Sequence, residues 1–139
     1  MDAYEKQGGN FIDTADVYSE WKEGHKGGES ETIIGNWMKT RGNRQNIVIA
    51  TKVAKLSTRL GLSFANIIAA CDDSLRRLQT NYIDLYYAHE DDEKTPLAET
   101  LEAFTQLIAQ GKVRYIASSN YSPERLSEAL RISKENSLA

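Results

Sequence analysis

Four short apolar runs in the sequence each lead into a polar residue, and these polar residues recur at similar intervals. The four runs end at Asp13, Lys52, His89 and Ser119. Successive ends lie about 30 to 40 residues apart, which is enough for one strand, one helix and two loops. Parallel neighbouring strands need crossovers of this length, whereas antiparallel neighbours can be joined by a tight hairpin. The repeat therefore predicts an α/β fold with a parallel sheet, in which a helix follows each strand.

The segments between the predicted strands carry the signals of helix starts. Apolar residues recur on one face from about Glu29 to Thr40, which predicts a helix there. Ser63 is the predicted N-cap of the next helix. Thr95-Pro96 and Ser122-Pro123 predict the starts of two more, because proline at the first helical position needs no hydrogen-bonded N–H.

The length of the chain limits how much of a barrel it can form. A complete (β/α)8 barrel needs roughly 250 residues, and this chain has 139 residues with four predicted strand-helix repeats. We therefore expect residues 1–139 to form a single partial (β/α) barrel domain, about half of a (β/α)8 barrel. The chain begins with what reads as the last turns of a helix, ended by Gly8-Gly9, so we also expect an upstream portion to be missing.

A half barrel leaves its two outer strands without partners. Unpaired strand edges are templates for pairing with another chain, and apolar residues that face inward would lack an opposing layer. The candidates for such inward positions are Phe11, Val48, Ile49, Leu85 and Ile116. We therefore expect self-association through the exposed strand edges.

Composition excludes several classes of function. The chain is 40% hydrophobic and 27% charged, which is ordinary for a soluble globular protein. A formal net charge of −3 predicts no nucleic-acid partner and no anionic membrane partner. The single cysteine, Cys71, excludes an intrachain disulfide and a cysteine zinc cage, and we expect no metal. Without a signal-peptide pattern or an apolar run of membrane length, the expected location is cytoplasmic.

The polar strand ends predict one shared site, because active sites of β/α barrels lie at the carboxyl ends of the strands. Lys52 follows a buried run, where an unpaired ammonium is costly, and Asp13 on the neighbouring strand is its natural partner. An ammonium beside a phenol favours the phenolate form, so Tyr18 near Lys52 could donate a proton. Taken alone, however, this segment favours a structural interpretation, in which Asp13 is a turn residue and Tyr18 a partly buried tyrosine.

Three further groups gain weight from their positions. His89 at the same rim could hydrogen-bond a substrate oxygen, although a lone histidine is more often structural. Ser119 and Asn120 offer a hydroxyl and an amide that could bind an amide-bearing ligand, although the dipeptide is usually a turn. Trp21 fits a substrate pocket and simple loop packing equally well.

Four segments together resemble the aldo/keto reductase superfamily. They are residues 9–18, Ala50-Thr51-Lys52, Ala88-His89, and residues 111–116 leading to Ser119-Asn120. The resemblance runs from the family's first barrel helix through its fifth. It implies a catalytic tetrad in which Tyr18 is the proton donor, Lys52 and Asp13 adjust its acidity, and His89 orients the carbonyl.

The resemblance also implies an activity and a cofactor. The family reduces small-molecule aldehydes or ketones to alcohols with NADPH, and its usual preference is the only reason to expect NADPH over NADH. Ser119 and Asn120 match the positions that hold the nicotinamide carboxamide, and Asp13 lies beside the same ring. Because one fold hosts many functions, the alternatives are a truncated chain without a function of its own and a non-catalytic binding or interaction module.

Overall fold

The computed structural model describes residues 1–139 as a four-stranded sheet with helices between the strands. The strand order is β1-β2-β3-β4, and every neighbouring pair is parallel. The predicted parallel α/β architecture is therefore confirmed. The elements are α1 (Asp2–Lys6), β1 (Phe11–Asp13), α2 (Glu29–Arg41), a 3-10 turn (Arg44–Asn46), β2 (Val48–Val53), α3 (Phe64–Leu78), β3 (Ile83–Ala88), α4 (Leu97–Ala109), β4 (Val113–Ser118) and α5 (Pro123–Asn136).

The helices start where the sequence predicted, with one correction. Ser63 accepts a hydrogen bond from the backbone N–H of Asn66, and Ser122 caps α5 with Pro123 in its first turn. In α4, however, Pro96 is the N-cap and not the first helical residue. The reason is the backbone of Pro96, whose ψ of 133° is extended and not helical. The Thr95 hydroxyl donates to the Asp92 carboxylate at 2.7 Å and does not cap the helix.

The core lies between the helices and one face of the sheet. On that face the Tyr86 ring packs against Phe104 of α4 at 5.7 Å between ring centroids, and Ile49 is completely buried. The opposite face is open, since Phe11 and Tyr115 are 46% and 71% exposed there. None of the helices combines the length and the apolar composition that a membrane crossing requires.

Two of the five apolar residues considered for the open face lie on the helix face. Ile49 alternates with Ala50 along β2 and belongs to the buried core, and Ile116 is opposite Tyr86 and packs against that core. The difference has a physical reason. Parallel strands are apolar on both faces, so the sequence lacks the alternation of polar and apolar residues that would reveal their orientation.

A buried ion pair fixes the first two long helices to the sheet. Glu31 of α2 is fully buried, and its carboxylate accepts hydrogen bonds from the Thr51 hydroxyl and from Arg77 Nε, both at 2.6 Å. Thr51 belongs to β2 and Arg77 to α3, so one carboxylate connects three elements. The helices approach so closely that a Cβ atom on Gly35 would lie 2.2 Å from the backbone oxygen of Arg77.

A second buried carboxyl beside this ion pair has no partner. Asp16 is 1% exposed, and neither of its side-chain oxygens accepts or donates a hydrogen bond. Burial, followed by the negative charge of Glu31, raises the pKa of Asp16 to about 7. Between pH 3.8 and about 7, the folded chain therefore keeps a proton on this carboxyl, whereas an exposed aspartate has lost it.

We expect Arg77→Met to destabilise the fold by about 3 to 5 kcal/mol, because it leaves the Glu31 carboxylate buried without a counter-charge. Chemical denaturation at neutral pH measures this loss. Arg76→Met is the matched control, since the Arg76 side chain is 72% exposed in its pair with Asp73, and exposed pairs contribute about 0 to 1 kcal/mol. Equal losses in the two variants would contradict this assignment.

We expect Asp16→Asn to remove part of the dependence of stability on pH. Asp16 takes up a proton below about 7 in the folded chain and only below 3.8 when its environment is unperturbed. The folded state thus binds more protons between these values, and stability falls as the pH rises through that window. Urea denaturation at pH 4 and at pH 8 measures the free energy of unfolding of both proteins. As the pH rises, this free energy should change in favour of Asp16→Asn by on the order of 2 to 4 kcal/mol relative to wild type. If the free energies of unfolding of wild type and Asp16→Asn change with pH in parallel, Asp16 ionises as an exposed aspartate does and the assignment is wrong.

Candidate active site

The predicted site residues lie together at the carboxyl edge of the sheet. Asp13 is the last residue of β1, and Lys52 is the last but one of β2, so β2 continues one residue further than the sequence indicated. His89 directly follows β3, and Ser119 and Asn120 directly follow β4. Because the four strands are parallel and paired in order, the fold brings these ends to one rim.

Backbone hydrogen bonds extend the sheet to the site residues beyond the strands. The N–H of His89 donates to the carbonyl of Val53 at 2.9 Å, and the N–H of Ser119 donates to the carbonyl of Ala88 at 2.9 Å. The side chains therefore start from backbone positions that the sheet determines. Such support is what keeps functional groups in a fixed geometry.

The Lys52 ammonium is the centre of the site. Lys52 is 7% exposed, and its Nζ donates to Asp13 Oδ2 at 2.7 Å, to the Thr14 carbonyl at 2.7 Å and to the Tyr18 hydroxyl oxygen at 3.2 Å. An ammonium has three N–H donors, so this set uses all of them. The Tyr18 oxygen accepts from lysine, and its own hydrogen consequently remains available for another acceptor.

Turns after β1 bring Tyr18 back toward this lysine. The N–H of Asp16 donates to the carbonyl of Lys52 at 3.2 Å, and the N–H of Tyr18 donates to the carbonyl of Ala15 at 3.3 Å. As a result, the phenol ring lies near the ammonium, with 4.9 Å between Nζ and the ring centroid. The five-residue step from Asp13 to Tyr18 is therefore the path by which the phenol reaches Lys52.

His89 contacts the same phenol with its ring. The ring centroids of Tyr18 and His89 are 5.9 Å apart, with an edge-to-face angle of 75°. His89 Nδ1 is buried and has no hydrogen-bond partner. Burial, and then the positive charges of Lys52 and Lys55, lower the pKa of His89. The other ring nitrogen, Nε2, is not buried and makes no hydrogen bond within the chain, so a neutral imidazole could use it to donate to a ligand oxygen.

Ser119 and Asn120 form a small polar unit next to His89. The Asn120 amide nitrogen donates to the His89 carbonyl at 2.8 Å and to the Ser119 hydroxyl oxygen at 3.1 Å. Asn120 has φ +56°, a left-handed conformation that asparagine tolerates better than most residues. The side-chain amide oxygen of Asn120 remains free as an acceptor, and the hydroxyl hydrogen of Ser119 remains free as a donor. Together they match the N–H donors and the carbonyl acceptor of a primary carboxamide.

Sequence reasoning missed two parts of this region. The Thr14 carbonyl that accepts from Lys52 is a backbone atom, so no residue type could have revealed it. Asp16 lies inside the segment already considered, but its burial depends on how α2 and α3 pack against the sheet. Trp21, for which two interpretations were open, is 77% exposed, and its ring centroid lies 6.1 Å from that of Tyr18.

Comparisons with known sequences identify the family of this chain. The model of the aldo/keto reductase family matches residues 1–138. An aryl-alcohol dehydrogenase [NADP(+)] of Phanerodontia chrysosporium is 38% identical over 133 residues, covering 86% of this chain and 33% of that protein. Norsolorinic acid reductase B of Aspergillus parasiticus is 36% identical over 148 residues, covering 99% of this chain and 37% of that protein. The chain thus spans about a third of the length of these relatives.

Solved structures give the same result for the fold. A thermostable aldo-keto reductase in complex with the inhibitor epalrestat superposes with a TM-score of 0.80 at 33% identity, covering 94% of this chain and 43% of that one. An aldo-keto reductase from Klebsiella pneumoniae in complex with NADPH superposes with a TM-score of 0.77 at 35% identity, covering 94% of this chain and 40% of that one. The predicted partial barrel is confirmed, and the chain belongs to the aldo/keto reductase family.

Proposed function

We propose that this chain carries the proton-donating part of an NADPH-dependent oxidoreductase site that reduces aldehydes or ketones to alcohols. The observation that carries the proposal is the hydrogen-bonded group of Asp13, Lys52 and Tyr18, with His89 against the same phenol. In this proposal, residues 1–139 are one partial barrel domain. Its small-molecule partner is a carbonyl compound.

Tyr18 is the general acid in this proposal. Its hydroxyl proton goes to the oxygen of the reduced carbonyl, and the phenolate that remains is stabilised by the Lys52 ammonium at 3.2 Å. Asp13 holds Lys52 in place by a 2.7 Å ion pair. Neutral His89 orients the substrate by donating a hydrogen bond from Nε2, the ring nitrogen that is not buried, to the carbonyl oxygen.

The residues present fit the amide end of a nicotinamide cofactor. The free donor of Ser119 and the free acceptor of Asn120 would hold the carboxamide, and half-exposed Asp13 would lie beside the ring. When bound, the cofactor supplies the hydride. NADPH is favoured over NADH because one relative is named for NADP(+) and one similar structure contains NADPH. A cytoplasmic location and the lack of nucleic-acid and membrane partners stay predictions from composition.

We expect Tyr18→Phe to lower kcat by about 10²- to 10⁴-fold, because the variant lacks the group that supplies the proton. NADPH oxidation measured in a complete barrel that carries residues 1–139 tests this, and NADPH fluorescence should show nearly unchanged cofactor binding. Tyr82→Phe is the matched control, since Tyr82 precedes β3 at the opposite end of the sheet and stacks on Arg44. Turnover of Tyr18→Phe close to that of Tyr82→Phe would rule out the assignment.

The open face and the free strand edges favour a second role, association with a further chain. No strand of this chain pairs with the outer edge of β1 or β4. Phe11 and Tyr115 expose apolar surface on the open face between these edges. Unpaired edges and exposed apolar patches both favour intermolecular contact. We therefore propose self-association of chains that consist of these 139 residues.

We expect the average mass of the 139-residue chain to rise with concentration in sedimentation velocity. Tyr115→Lys should reduce this association, because it places a charge on the open face where Tyr115 is 71% exposed. Leu60→Lys is the control, since Leu60 is also exposed but lies in a loop outside the sheet. A monomer at every concentration would disprove self-association, and equal effects of the two variants would disprove the assigned surface.

A further inference from the structure

Asp16 is a buried carboxyl group that the proposed mechanism does not use. It is 1% exposed, and neither of its side-chain oxygens has a hydrogen-bond partner. The nearby Glu31 carboxylate is just as buried, but each of its oxygens has a partner, one the Thr51 hydroxyl and the other Arg77 Nε. A buried polar group without a partner costs free energy. Asp16 therefore weakens the fold at a position two residues before Tyr18.

The backbone of Asp16 connects the path to Tyr18 with β2. Beyond β1, the N–H of Thr14 donates to the carbonyl of Ala50 at 2.9 Å, and the N–H of Asp16 donates to the carbonyl of Lys52 at 3.2 Å. These bonds continue the parallel pairing of β1 with β2. Asp16 is the last residue before Tyr18 whose backbone is hydrogen-bonded to β2. A shift of Asp16 therefore moves Tyr18 relative to Lys52.

The Asp16 side chain lies in the helix layer, next to an exposed loop. Residues two apart in an extended segment point to the same face, and the hydroxyl of Thr14 hydrogen-bonds that of Ser30 in α2 at 2.8 Å. Gly27 covers the Asp16 backbone so closely that a Cβ atom on it would lie 2.9 Å from the Asp16 carbonyl oxygen. Most of residues 21–27 are exposed, and exposed loops open at lower free energy than a packed core. Asp16 thus lies where the packed layer meets a loop that can open.

The charges around Asp16 come from several elements. Burial, and then the negative charge of Glu31 on α2, raise the pKa of Asp16 to about 7, with a smaller contribution from Glu20 of the loop. Arg77 of α3 and the backbone N–H of Val17 oppose this rise, the latter without the geometry of a hydrogen bond. Arg77 is already paired with Glu31 at 2.6 Å. The one cation of this layer is therefore shared between two carboxyl groups.

The neighbouring strands supply no further positive charge to Asp16. Burial first, with smaller contributions that include the charge of Asp16, raises the pKa of Tyr86 on β3, so this residue stays a neutral phenol. The Lys52 ammonium lies on the open face of β2, where it is paired with Asp13 at 2.7 Å. Once Asp16 gives its proton to water, its negative charge consequently has no counter-charge of its own.

We propose that Asp16 is a positioning residue for Tyr18, and that loss of the Asp16 proton opens the loop of residues 19–28 and moves the phenol away from Lys52. The inference rests on the proposed reductase function. A neutral carboxyl is tolerated in the helix layer, whereas an ionised one beside Glu31 is stabilised by moving toward water. The contact between Lys52 Nζ and the Tyr18 oxygen is 3.2 Å long, and a displacement of about 1 Å in an active site can cost about 10²-fold in rate. Activity therefore follows the fraction of chains that carry the Asp16 proton.

Tryptophan fluorescence of this chain tests the inference without turnover. Trp37→Phe leaves Trp21 as the sole tryptophan, and Trp37 is a suitable residue to replace because it donates to Asp2 away from the site. The Trp21 ring centroid lies 6.1 Å from that of Tyr18. In this background, Trp21 emission should change with pH with a midpoint at about 7, where Asp16 ionises. Asp16→Asn, which has the shape of the neutral carboxyl, should lack this transition, and so should Asp16→Ala.

Controls identify the group that causes the transition. Glu23→Gln should keep it, since Glu23 is an exposed carboxylate of the same loop. His25 and His89 are still present in Asp16→Asn, so a transition that either imidazole caused would persist there. A transition that persists in both Asp16 variants would overturn the inference, and so would the absence of any transition from the protein that keeps Asp16.

The pH dependence of turnover separates this inference from the reductase proposal. In a complete barrel that carries this chain, with benzaldehyde and NADPH as probes, kcat should fall roughly 10-fold from pH 6 to pH 8, because the protonated fraction of Asp16 falls by that factor. Asp16→Asn should lack this fall. The same pH profile in both proteins would show that Asp16 is only structural, overturning its positioning role but leaving the reductase intact. If neither protein reduces benzaldehyde while the fluorescence transition still depends on Asp16, the loop opening stands and the reductase proposal fails.

Discussion

The buried ammonium of Lys52 is the constraint on which the rest of the site depends. A charge removed from water needs hydrogen-bonding partners, and this one finds three, from Asp13, Thr14 and Tyr18. All three belong to the end of β1 and the turn that follows it. The parallel pairing of β1 with β2 is therefore what makes a buried lysine tolerable and what brings the phenol to it.

The same strand connects the site with a second buried charge on the other side of the sheet. Thr51 and Lys52 are consecutive, so their side chains point to opposite faces. Thr51 donates to Glu31 within the helix layer, while Lys52 donates to Asp13 at the open rim. Two consecutive residues of β2 thus contact the ion pair that holds α2 and α3 and the candidate active site.

The sequence predicted those features that depend on local signals. The strand ends at His89 and Ser119, the cap at Ser63 and the helix start at Ser122-Pro123 agree with the structure, because each follows from neighbouring residues. The orientation of Ile49 did not follow, since a parallel strand is apolar on both faces. The unpartnered carboxyl of Asp16 depends on the packing of distant helices, and no local pattern contains that information.

The close approach at Gly35 means that the site can be damaged from a position that touches none of its residues. Any side chain there would meet the backbone of Arg77 and Leu78, which cannot yield as a flexible side chain can. Separating α2 from α3 would pull Glu31 away from Thr51, the residue before Lys52. The tolerance of this chain to substitution is therefore governed by the spacing between its helices as much as by the chemistry at its rim.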